Sequence, residues 1–242
     1  MLNTVHGIVL RTVKYRDNKQ VVDIYTETHG CLSFVAPVSR ARRSSGPSAA
    51  LWRPLTFLEC TVDIRPTNRM VKLKDARPYI LYTDIPFSPL KSTIVLFLSE
   101  FLSHILHLEQ SDSLLFRYLE TALQWFDASS KGIANFHLAF LLHLTTFVGI
   151  RPDLSHSFSM PFFDLRAGCY VPLRPSHPDV LAPSEARFLP FLFKMELSNL
   201  SHYRFTRQQR QRILEVINLY FQLHLPPFPE LHSIAVLKDV FD

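Results

Sequence analysis

Residues 82–91 read YTDIPFSPLK, and the hydrophobic pattern changes its period across them. Upstream, apolar and polar residues alternate, as in strands with one buried face. In TFLECTVDI (56–64), Leu58, Cys60, Val62 and Ile64 fall on one side, and Glu59, Thr61 and Asp63 on the other. MVKLK (70–74) alternates again after the turn RPTNR (65–69). GIVLRTVKY (7–15), VVDIYT (21–26) and CLSFVAPV (31–38) read as three more strands, and Gly30 is placed to take the positive φ of a hairpin turn. Five short strands within about 75 residues predict a small β-barrel, because closure removes vulnerable sheet edges.

Downstream of the connector the period is helical. Ser88-Pro89 offers an N-cap followed by proline at the first helical position. The helix after it carries Glu100, Ser103, His104 and His107 as one polar stripe on an otherwise apolar cylinder. A second helix starts near Asp112 and presents Leu115, Leu119, Ala122 and Phe126. A third, roughly 133–148, stops at Gly149 with Pro152 just beyond. Residues 151–183, rich in proline and aromatics, read as irregular, and a helix is expected near 184–195. Thr206 and Gln209 form a T-x-x-Q capping box for a helix over about 207–224. LPPFPELHS (225–233) breaks it, and a short helix near 234–241 follows. The expected class is α+β with two domains, a β-barrel over 1–79 and a helical domain over 80–242.

The chain has 242 residues, 47% of them apolar, which supports a globular core in one or two domains. Its net charge of +5 is unevenly spread. Residues 1–80 hold 13 Lys/Arg and 6 Asp/Glu, while the remainder holds 13 and 15, so the positive excess lies in the first third. Such asymmetry points to a polyanionic partner for that third. Cys31, Cys60 and Cys169 are widely spaced and odd in number, which fits neither a disulfide framework nor a CxxC pair and suits a reducing cytosol. MLNTVHGIVL (1–10) lacks the charged start and long apolar core of a secretory leader. TIVLFLSEFL (93–102) is too short and too interrupted to span a bilayer. No membrane association is expected, and the expected location is cytoplasmic, with the nucleoid.

The sequence holds no Gly-rich phosphate loop, GxSxG, HExxH or kinase-type motif, so no catalytic residues are assigned. His104 and His107 are spaced to share a helix face and could chelate a metal, but no carboxylate or cysteine pattern accompanies them, which favours a solvated stripe. Cys169 and His177 could supply two ligands, yet zinc wants three or four, so a buried thiol and a loop histidine are the better reading. HSFSMPFFDL (156–165) reads as a packed loop rather than a cleft. Arg204, Arg207, Arg210 and Arg212 cluster where a helix begins, against the helix dipole. A solvated face or an acidic side-chain partner explains them, and contact with a nucleic acid or an acidic peptide is the alternative.

The stronger signal lies in the first domain. Arg11, Lys14, Arg16 and Lys19 flank the first strand pair. Arg40, Arg42 and Arg43 fall in PVSRARRSS (37–45), Arg53 follows, and no acidic residue lies between Glu27 and Glu59. Arg65, Arg69, Lys72, Lys74 and Arg77 surround the last strand. Arginine forks match phosphate geometry, and a generic basic surface is the competing explanation.

These segments, taken in order, resemble the RecO family of bacterial recombination mediators. The resemblance is carried by GIVLRTVKYRDNKQVVDIYTETHGCLSFVAPVSRARRSS (7–45), FLSEFLSHILHLEQSDSLLFRYLETALQWFD (97–127), FHLAFLLHLTTFVGIRPDL (136–154), RQQRQRILEVINLYFQLHL (207–225) and LHSIAVLKDVF (231–241). Each piece is diffuse, but their order spans the whole chain. The resemblance implies an N-terminal OB-fold and a C-terminal helical domain, with no enzymatic activity. It also implies binding of single- and double-stranded DNA, strand annealing, and help for RecA in displacing single-strand-binding protein (SSB). The partners it implies are RecR, in many bacteria RecF, and the acidic, Phe-ended SSB tail, for which Arg204, Arg207 and Arg210 are the candidate contacts. Its DNA contacts would be Arg11, Lys14, Arg16, Lys19, Arg40, Arg42, Arg43, Arg53, Arg69, Lys72 and Lys74. Many family members carry two CxxC pairs as a zinc site. The corresponding stretch here, 155–178, keeps one cysteine, so loss of the zinc and no cofactor are expected. An interaction adaptor that docks peptides on its helices, with DNA binding secondary, is the alternative function.

Overall fold

The computed structural model describes residues 2–16, 19–37, 49–64, 71–107 and 110–240, with the backbone alone at 49 and 238–240. In chain order it has strands β1 (Leu2–Arg16), β2 (Lys19–Thr26), β3 (Gly30–Pro37), β4 (Phe57–Asp63) and β5 (Lys72–Pro78), then helices α1 (Pro89–Leu106), α2 (Ser113–Ala128) and α3 (Phe136–Phe147). Short strands β6 (Phe162–Asp164), β7 (Cys169–Val171) and β8 (Val180–Leu181) follow, then α4 (Pro183–Ala186), α5 (Leu189–Leu192), α6 (Arg207–His224) and α7 (Ser233–Val240). The chain forms two compact units, Met1–Asp127 with Glu230–Asp242, and Ala128–Pro229.

In the first unit β1 serves two partners. Its start pairs with β4, from Leu2 opposite Asp63 to Ile8 opposite Phe57, and its remainder pairs with β2 as far as Arg16 opposite Lys19. The antiparallel order is β3-β2-β1-β4-β5. The sheet is OB-like, but its ring of hydrogen bonds does not close: the Val71 amide, just before β5, donates to the Ser33 carbonyl on β3 at 2.9 Å, with no ladder between the two edges. OB-folds are commonly open in this way. The alternating residues fill the interior as expected. Leu58, Cys60 and Val62 pack with Val9, Val22, Ile24, Phe34 and Trp52. Full burial of a side chain such as Phe34 contributes roughly 2–3 kcal/mol. Gly30 takes φ 65°, as the hairpin after β2 requires.

Pairing slips at Leu10, between Val9 and Arg11, so β1 bulges there and one residue leaves the ladder. Ser99 of α1 donates its hydroxyl to the Leu10 carbonyl at 2.5 Å, satisfying a buried acceptor. α1 begins where the sequence places it, with the Ser88 side chain accepting the Lys91 amide and Pro89 opening the helix. It is the one described helix long and apolar enough to cross a membrane, and 61% of it is buried within the protein, which accounts for its composition. Of its polar stripe, Glu100 has a structural use: its carboxylate accepts the amides of His232 and Ser233 and the Ser233 hydroxyl, capping α7.

In the second unit α3 is buried along most of its length, with Phe136, Leu138, Phe140, Leu141 and Leu144 all in the interior. Gly149 ends that helical stretch at φ 75°. Residues 151–183 are more ordered than the sequence suggests: β6, β7 and β8 form a small sheet in the order β7-β6-β8. Strands of two or three residues are too short to show a period. The helix expected near 184–195 is two single turns, α4 and α5, each with proline in its first turn. The capping box at Thr206 and Gln209 is fully formed and starts α6. His137 lies wholly buried, and its burial, with the nearby Arg210 charge, pushes its imidazole down to about 3.

Candidate nucleic-acid interface

The far half of β1, with β2 and β3, builds the basic end of the sheet. Lys14, Arg16 and Lys19 are exposed there, and none makes an ion pair with another described residue. Arg11 differs: its guanidinium donates through Nε and Nη2 to Asp23 Oδ2 at 3.1 and 2.9 Å, while the Ser33 hydroxyl donates to Asp23 Oδ1 at 2.6 Å. Its charge is therefore largely spent within the sheet. Pro37, the last residue of β3, pairs with Lys19. Arg40, Arg42 and Arg43 follow β3 in the sequence and lie outside the described residues, as do Arg65 and Arg69. The chain is described again at the helical turn Ala49–Trp52, where Thr12 donates its hydroxyl to the Trp52 carbonyl at 3.0 Å.

Arg53 is exposed beside that turn, and Lys72 and Lys74 are exposed on β5, next to the Val71–Ser33 contact. Arg77 is neutralised by Glu59 through Nε at 2.8 Å. The other end of β1 has the opposite character. His6 stacks on Tyr79 with ring centroids 4.4 Å apart and lies 3.8 Å from Glu27 and 3.6 Å from Glu59. Polyanion would be favoured at the Lys14–Lys19 end and disfavoured here. Sequence reasoning passed over Tyr15, which lies between Lys14 and Arg16 and is 52% exposed.

The second unit carries an apolar groove of about 430 Å³, lined among others by Phe163, Phe188, Phe191, Phe205 and Tyr220. Its polar lining includes Glu185, Arg204, Gln209 and Arg212. Arg212 is already engaged, donating to both Glu185 oxygens at 2.7 and 3.2 Å. Arg204 is exposed and makes no ion pair with a described residue. Arg210 turns back to donate to the Phe205 carbonyl at 2.7 Å, and neither Arg210 nor Arg207 lines the groove. The four-arginine cluster is thus divided by the fold.

Two family models match successive parts of this chain: one described as Recombination protein O N terminal matches residues 1–81, and one described as Recombination protein O C terminal matches residues 86–233. The chain belongs to the RecO family. It is 37% identical over 241 residues to the DNA repair protein RecO of Phocaeicola vulgatus, covering 100% of both chains. It is 37% identical over 243 residues to that of Bacteroides fragilis and 31% over 245 residues to that of Porphyromonas gingivalis, again over 100% of each. Membership in RecO places the chain in DNA repair and recombination.

The stretch 155–178 holds one cysteine, Cys169. Asp164 accepts the amides of Arg166 and Ala167 on Oδ1, and its Oδ2 faces His177 Nε2 at 3.3 Å. Cys169 pairs with Asp164 across the β6–β7 ladder, and Phe163 packs edge-on against Tyr170 at 5.1 Å. Among the described residues no group of three or more His, Cys, Asp or Glu is placed to hold a metal. Hydrogen bonds and aromatic packing secure this segment.

Proposed function

We propose that this RecO-family protein is a non-enzymatic recombination mediator that binds single- and double-stranded DNA and anneals complementary strands. It helps load RecA onto single strands covered by SSB, acting with RecR and, where present, RecF. The observation that carries the reading is the exposed set Lys14, Arg16 and Lys19, which makes no ion pair among the described residues, at one end of an OB-like sheet. Contacts to phosphates carry no base information and release counterions. Affinity for unrelated sequences should therefore be similar and should fall steeply between about 50 and 200 mM salt, on the order of a hundredfold or more. A titration showing weak salt dependence, or binding to one sequence alone, would refute it.

The groove supports a partner role alongside DNA. An acidic chain end with a terminal phenylalanine suits it, the ring among Phe188, Phe191 and Phe205 and the carboxylate on Arg204. The tail of SSB has that chemistry. For a synthetic peptide of several aspartates ending in phenylalanine, Arg204→Glu is expected to lower affinity at least tenfold, as is amidation of the peptide's C-terminus. Arg207→Glu, off the groove lining, should have a much smaller effect. Equal losses in the two variants would mean general attraction rather than a site. Tight peptide binding without measurable DNA binding would favour the adaptor function.

A further inference from the structure

We infer that Tyr15, with the valine row beside it, is a platform on which bases of a single strand stack. The inference rests on the nucleic-acid reading above and concerns bases rather than phosphates. Among the described residues, the outer face of β2 is sealed at its Tyr25 end and open toward Lys19. Tyr25 is fully buried there, its hydroxyl accepting the Asp112 amide and donating to the Gln110 carbonyl. The Arg11–Asp23–Ser33 row comes next. Beyond it Val13 stands opposite Val21, and Val21 opposite Val35, across three adjacent strands. Val13 is 46% exposed and Val35 37%, although inward-facing Val22 and Phe34, one residue away, are sealed in the core.

Tyr15 extends this row. The register slips between Lys14, opposite Gln20, and Arg16, opposite Lys19, so Tyr15 is the extra residue of a second bulge. A bulge re-aims one side chain and leaves its neighbours in the ladder. The Arg16 guanidinium lies 5.2 Å from the centroid of the Tyr15 ring. The result is a flat apolar strip ending in an aromatic face and bordered by Arg16 and Lys19, with no acid but the paired Asp23 among the described residues of these strands. Adjacent strands are about 4.8 Å apart, so three of them give a floor roughly one base wide. A duplex hides its base faces and presents phosphate outward. A single strand presents both, and charge complementarity selects it over an apolar protein surface.

The test uses the full chain, oligothymidylate and a blunt DNA hairpin. Tyr15→Ala is expected to weaken oligothymidylate binding about tenfold, with the salt slope unchanged because no phosphate contact is lost. Tyr15→Phe should bind like wild type, and duplex affinity should change less than about twofold for both. If wild type binds both DNAs with a steep salt slope and Tyr15→Ala is silent, or weakens duplex equally, stacking is wrong and the phosphate reading survives. If wild type binds neither, both readings fall. If Tyr15→Ala changes the sedimenting mass while leaving DNA affinity intact, the strip is a contact between copies of this chain and the inference is overturned.

Discussion

Asp127→Ala should destabilise the first unit by roughly 2–4 kcal/mol, because several hydrogen bonds to a charged acceptor, each contributing about 1.5–3 kcal/mol, are lost together and two of the freed amides can be re-solvated. Asp127 ends α2, yet its carboxylate organises a segment more than forty positions away. Oδ2 accepts the Thr83 amide at 2.7 Å and the Thr83 hydroxyl at 3.0 Å. Oδ1 accepts the amides of Asp84 at 2.9 Å and Ile85 at 2.8 Å. Beside it Lys91, 1% exposed, donates to the Asp127 carbonyl and pairs with Asp84, each at 2.7 Å. These bonds hold the connector between β5 and α1. Alanine leaves three connector amides without their acceptor. Trp52 and Trp125, the only tryptophans, both lie in this unit, so their fluorescence isolates its unfolding. A loss of about 3 kcal/mol would move the urea midpoint down by roughly 1.5 M.

The same bonds set a pH dependence. Burial works against the Asp127 charge, but the Ile85, Thr83 and Asp84 amides and the Thr83 hydroxyl outweigh it and hold the carboxyl below its ordinary 3.8. A carboxyl depressed in the folded state stabilises fully above its unfolded value and loses that contribution as pH falls through the folded value. Wild type should therefore lose stability below about pH 4 more steeply than Asp127→Ala does. A midpoint shift of under about 0.3 M, with parallel acid limbs, would show that the connector holds without Asp127.

Reversing Arg40, Arg42 and Arg43 to glutamate should weaken single-strand binding about a hundredfold near 0.1 M salt. Each phosphate contact contributes about 0.7 to the salt slope on single strands, so losing three lowers the slope by about 2. The loss should shrink as salt rises, and unfolding followed by Trp52 and Trp125 should be unchanged. Tyr15→Ala would instead shift affinity at constant slope, so the two contributions separate in one set of titrations. If the triple variant kept the wild-type slope, the footprint would rest on Lys14, Arg16, Lys19, Lys72 and Lys74.

Local physics wrote much of this into the sequence. The alternation at 56–64 determined which residues of β4 face the core, because a strand's side chains have a period of two whatever it pairs with. Ser88-Pro89 and Thr206 with Gln209 determined where α1 and α6 begin, since a cap is completed within four residues. The same held for the hairpin at Gly30 and the stop at Gly149, where only backbone freedom is at stake. The strands of 162–181 escaped because each is too short to repeat a pattern. What tertiary structure alone decided is which charges remain available. Arg11 is neutralised by Asp23 twelve positions on, Arg77 by Glu59 eighteen back and Arg212 by Glu185 twenty-seven back. The bulges at Leu10 and Tyr15 likewise arise from the register between strands. A charge or a ring is legible in sequence, but its partner is chosen by distance in space, and folding alone sets that distance.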